Sequence, residues 1–72
     1  MKRAISSALH QYLESIDHAG DADELSNVVS EAHGYLRGVR EREGVTAVER
    51  DEWLSRIEQE FETRSHELEN EE

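Results

Sequence analysis

The chain contains no cysteine, so it can form neither a disulfide framework nor a thiolate metal site. It also contains no proline, and nothing in it forbids long uninterrupted helices. Aromatic residues are scarce: one Trp, one Phe and two Tyr. Long apolar runs are missing as well. The opening MKRAISSALHQYLESID has two basic residues, but Gln11 and Glu14 interrupt any signal-peptide core. No stretch approaches the roughly 20 apolar residues of a membrane span. The expectation is a cytoplasmic protein without membrane contact.

A chain of 72 residues supports one domain, and chains of this size bury only about 60% of their unfolded surface. Without disulfide or metal staples, association with a partner is the remaining source of extra stability.

Acid dominates what is present. Residues 1–19 are balanced, residues 20–44 hold six acids against three arginines, and residues 45–72 hold ten acids against three arginines, for a net charge of −10. Such a field repels nucleic-acid backbones and anionic membranes, and it favours a partner with a basic surface.

Gly20 and Gly44 each follow a helical pattern, where a left-handed C-terminal residue is expected. Asp21 with Glu24 and Thr46 with Glu49 then stand at N-cap to N3 spacing. These signals predict helices at about 3–19, 22–43 and 47–68, in a single domain of residues 1–68 followed by an acidic tail, 69–72. Ile5, Leu9, Tyr12, Leu13 and Ile16 form the apolar stripe of the first helix. In the second, Leu25, Val28, Val29, Ala32, Tyr35, Leu36 and Val39 repeat at three and four. The third has a thinner face, Ala47, Leu54, Ile57, Phe61 and Leu68, with Arg50 and Arg64 at positions an unbroken stripe would fill with apolar residues. Its last turns are expected to fray without a partner. No alternating segment suggests a strand. The fold class is all-α: a small three-helix bundle, or a long helical hairpin with a packed N-terminal helix, expected to dimerise.

Gly34 and Gly38 interrupt the second helix, where each glycine costs about 1 kcal/mol relative to alanine. Both fall on the side away from the apolar stripe, in a row of small residues: Ala22, Ser26, Ser30, Gly34 and Gly38. Such a row makes a shallow lane for a neighbouring helix, or it is simply an exposed back. The third alternative is a kink at Gly34 or Gly38 that shortens the helix and re-angles the VREREG segment.

Catalysis lacks an anchor. There is no nucleophile elbow and no phosphate-cradling glycine loop, and paired carboxylates on helix faces stay solvated. The chain is expected not to be an enzyme and to need no cofactor. His10, Glu14 and His18 share a helix edge, but the two histidines stand about 12 Å apart along the axis, too far to share one metal ion. No metal is expected.

Two interaction surfaces remain. The first comprises Ser26, Ser30, Gly34 and Gly38 with Tyr35 and Trp53; Trp53 sits at the margin of its stripe, where it can close the bundle edge or anchor an interface. The second is the acidic face Glu49, Glu52, Glu58, Glu60 and Glu62, in which pairs such as Glu52 with Arg56 and Glu60 with Arg64 moderate the charge. The first surface predicts a small non-enzymatic protein-binding module, an adaptor or regulator, working through helix–helix contacts with itself or a basic partner. The alternative is an acidic, nucleic-acid-mimicking inhibitor of a DNA- or RNA-binding protein or nuclease, of phage or mobile-element type.

Overall fold

Side-chain caps set where the second and third helices begin. The computed structural model describes residues 2–39 and 41–70. It contains helix α1 (Arg3–Asp17), helix α2 (Ala22–Gly38), a 3-10 turn (Glu41–Glu43) and helix α3 (Ala47–Asn70), with no strand among the described residues. At the start of α2 the Glu24 N–H donates to Asp21 Oδ1 at 2.8 Å, and the Gly20 N–H donates to Glu24 Oε2 at 3.0 Å. At the start of α3 the capping box is reciprocal. The Glu49 N–H donates to Thr46 Oγ1 at 3.1 Å, and Glu49 Oε1 accepts from the Thr46 N–H at 3.2 Å.

The same box perturbs Glu49. The backbone N–H of Thr46, and then its hydroxyl, hold the carboxyl below its ordinary value by hydrogen-bonding the ionised form. A depressed folded pKa contributes stability that is present above the unfolded value and lost as pH falls through the folded one. Glu49→Ala is therefore expected to be less stable than the parent at neutral pH, with the gap narrowing as pH falls below the ordinary glutamate value and through the lower folded one. Denaturant midpoints measured across that range check this; a gap independent of pH would assign the cap no ionic component.

All three helices pack on one another in an elongated body of 45 × 17 × 16 Å. The short joints make α2 antiparallel to both neighbours. Leu9, Ile16, Leu25, Leu36, Val45 and Ile57 are fully buried at the centre. Tyr12, Leu13, Val28, Val29, Tyr35, Leu54, Phe61 and Leu68 pack around them.

Four sequence expectations change. α2 stops at Gly38 instead of continuing to residue 43: Val39 is extended, with ψ 128°, and buried to 4% exposure. The chain then turns through the 3-10 segment so that Val45, fully buried, also enters the core, and Gly44 supplies the left-handed step at φ 87°. VREREG is thus re-angled at Gly38, the third of the alternatives above; its Arg40 lies outside the described residues. α1 ends at Asp17 rather than residue 19, and Gly20 does not take a positive φ, because the turn there is made by the Asp21 and Glu24 caps. Ala47 is exposed, and Trp53 fills the core in its place. Finally, α3 is helical to Asn70, past the expected residue 68, and Leu68 packs on the core. Glu71 and Glu72 of the acidic tail lie outside the described residues.

Arg50 and Arg64 acquire a purpose. Arg50 Nη2 donates to the carbonyl of Val39, the residue capping the C-terminus of α2. Arg64 Nε donates at 2.9 Å to the carbonyl of Ala19, just past the C-terminus of α1. Carbonyls at a helix C-terminus lack intrahelical partners and carry the negative end of the dipole, so a guanidinium is well matched to both. These two bonds tie α3 to each of the joints.

Candidate interaction surfaces

Trp53 belongs to the bundle interior. It is 8% exposed. The His10 ring meets its indole edge-on with centroids 5.1 Å apart, and the Arg56 guanidinium lies 4.4 Å over the same ring. Little of the indole is left to anchor a partner. Tyr35 is partly buried and leans on Tyr12 across α1 and α2, with ring centroids 5.7 Å apart.

The small-residue row lies open. Ala22, Ser26, Ser30, Gly34 and Gly38 are all exposed, and the helix runs unbroken through Gly34. A Cβ added at Gly34 or Gly38 would meet nothing within 4 Å. Among the described residues, no neighbour requires either glycine. Gly38, as the last residue of α2, also serves to end it.

The acidic face of α3 divides. Glu49 is committed to the cap, and Glu60 is partly buried in the α1–α3 seam with His10, Leu13, Glu14, Asp17 and Arg56. Glu52, Glu58 and Glu62 are exposed. The two arginines expected to moderate them are otherwise engaged, Arg64 on a backbone carbonyl and Arg56 on the indole; Arg50 likewise bonds a carbonyl. Arg64 also pairs with Glu67 at 3.8 Å.

Sequence reasoning missed the seam between α2 and α3. Val29 and His33 on α2 face Glu58, Phe61 and Glu62 on α3 around a cleft of about 300 Å³. Adjoining it, a depression of about 270 Å³ runs along α3 past Phe61, Ser65 and Glu69. A third, of about 400 Å³, opens between Ala22 and Leu25 on one side and Ser65, Leu68 and Glu69 on the other. Together they form a groove with partly exposed Val29, Phe61 and Leu68 along its floor and carboxylates on its α3 rim. The signal available in the sequence was angular. Glu58, Glu62 and Glu69 share the α3 flank nearest Phe61, but which flank faces α2 depends on the packing.

Among the described residues, no group of three or more histidines or carboxylates is arranged to hold a metal ion, and no helix is long and apolar enough to cross a membrane. Comparison with protein-family models, curated proteins and solved structures finds no match to this chain. Function has to be read from the side chains alone.

Proposed function

We propose that the chain is a small, acidic, non-enzymatic protein-binding module, an adaptor or regulator that acts through helix–helix contacts. The observation that supports this reading is the exposed small-residue row on a helix that runs unbroken through Gly34 and ends at Gly38, with nothing within 4 Å of a Cβ added at either glycine among the described residues. Glycine at position 34 costs the monomer stability and provides it no packing. A second helix approaching along Ser26, Ser30 and Gly34 would use the shallow surface those residues leave.

A second copy fits this back of α2. Antiparallel pairing centred on Ser30 is self-complementary, as a two-fold interface requires. It sets Ser26 against Gly34 of the other copy. It also brings the exposed Asp23 opposite Arg37, because both lie seven positions from Ser30. Homodimerisation is therefore part of the proposal, with a cytoplasmic location.

Bulk placed in the lane tests this without harming the fold. Ser30→Gln/Gly34→Gln is expected to raise the thermal midpoint, since replacing the helical glycine recovers most of about 1 kcal/mol. It is also expected to weaken self-association at least tenfold in sedimentation equilibrium. Unchanged association would rule out the lane as an interface.

Charge mimicry of nucleic acid is the second reading, aimed at a DNA- or RNA-binding protein or nuclease. It is favoured by one observation: the three α3 arginines are engaged with carbonyls and an indole, while Asp51, Glu52, Glu58, Glu62 and Glu69 remain exposed. Binding of this kind weakens steeply as salt is raised.

A further inference from the structure

The geometry points to the α2–α3 groove as a docking site for a basic amphipathic helix of another protein. This rests on the reading of the chain as a protein-binding module and specifies a partner and a site for it. The three seams of the bundle differ in what they present. Tyr12 against Tyr35 covers part of the one between α1 and α2, and its remaining cleft, of about 480 Å³, is lined by the polar Gln11, Glu14, Ser15, His18 and Glu24 with Val28 alone among aliphatics. The one between α1 and α3 is lined chiefly by charged groups, with Arg56 and Glu60 opposite Glu14 and Asp17. Among the described residues, the clefts of the α2–α3 seam are the ones lined by a partly exposed aromatic, Phe61, together with two partly exposed aliphatics, Val29 and Leu68.

The shape suits a helix. The cleft follows α3 from Glu58 to Glu69, about 16 Å at 1.5 Å per residue, or three helical turns. Phe61 and Leu68 are seven residues apart on α3, so they mark the floor at two-turn spacing. A ligand helix with apolar residues at i, i+4 and i+7 would meet that floor in the manner of helix-in-groove recognition. Ala22 forms part of the α2 wall and Ser65 part of the α3 wall, both small enough to admit a close approach.

Charge selects the occupant. Glu58, Glu62 and Glu69 stand on the α3 rim, each exposed. Lysines and arginines flanking the apolar stripe of a docked helix would reach them. A second copy is a poor occupant, because every helix of this chain would bring carboxylates toward those on the rim; nucleic acid and anionic lipid are repelled for the same reason. His33 also lines the cleft shared with Phe61, with its Nε2 shielded from solvent and without a hydrogen-bond partner among the described residues.

The test uses two synthetic leucine–lysine peptides of identical composition and about five helical turns. One has its leucines on a single helical face; the other has them permuted around the axis. Each is titrated into the full chain while backbone amide resonances are followed. The amphipathic peptide is expected to perturb residues 29–33 and 58–69 and to bind at least tenfold more tightly than the permuted one. Glu58→Lys/Glu62→Lys, two exposed substitutions, is expected to abolish that binding while circular dichroism remains that of the parent. Equal affinity for the two peptides would overturn the groove and leave attraction by charge alone, which the mimicry reading predicts. Perturbations confined to the α1 side, or no binding by either peptide at low salt, would overturn it too. Self-association through the back of α2 is measured separately by sedimentation, so failure of the groove is distinguishable from failure of the protein-binding reading.

Discussion

Trp53→Ala is expected to destabilise the fold by about 3–5 kcal/mol, the usual cost of deleting a buried aromatic. The indole is 8% exposed, lies against the His10 ring and carries Arg56 on its face, so truncation removes three sets of contacts at once. A domain of this length is stabilised by roughly 4–11 kcal/mol in total, and the variant should therefore be largely unfolded at moderate temperature. Urea unfolding followed by far-ultraviolet circular dichroism measures this directly. Trp53→Phe, which keeps a ring in the core, should recover a large part of the loss. An alanine variant as stable as the parent would mean that Trp53 serves an interface after all.

Arg64→Ala has the second largest expected effect, about 1–3 kcal/mol, because it leaves a partly buried carbonyl without its donor. The lost bond is the 2.9 Å contact from Nε to Ala19, between residues 45 positions apart in sequence. It holds the far end of α3 against the joint that reverses the chain. The loss should therefore be regional. Amide hydrogen exchange is expected to quicken in residues 64–70 and around Ala19 while protection near Trp53 changes little. Arg64→Lys keeps the charge but reaches the carbonyl with a different geometry, and it should lie between the two. Uniform loss of protection across the chain would mean that the contact is not a local tie.

The acidic surface and the two arginine ties are connected. Had Arg50 and Arg64 remained on the solvent side of α3, they would have paired with the neighbouring glutamates and damped the field. Turned inward, both bond backbone carbonyls, with Arg64 also pairing with Glu67, while Asp51, Glu52, Glu58, Glu62 and Glu69 stay exposed. Residues 47–70 hold eight acids against three arginines, so α3 carries a surface of one dominant sign, the electrostatic basis for expecting a basic partner.

The amino-acid sequence determined, by itself, that the chain is helical, where α2 and α3 begin and most of what lies inside. Those properties are local: a cap is a contact across three residues, and an apolar stripe is a period of one helix. Thr46 with Glu49 and Asp21 with Glu24 form the bonds their spacing predicts. Three matters were left to the tertiary structure. α2 ends at Gly38 because burying Val39 and Val45 together outweighs continuing a helix through residues whose pattern permits it. Arg50 and Arg64 look like defects in the stripe of α3 until the carbonyls of Val39 and Ala19 come within reach, and those partners are set by packing between helices. The groove between α2 and α3 exists only once two flanks from different helices face each other. Periodicity specifies the angle of a residue on its own helix; which neighbour that angle meets is decided by how the helices share one core.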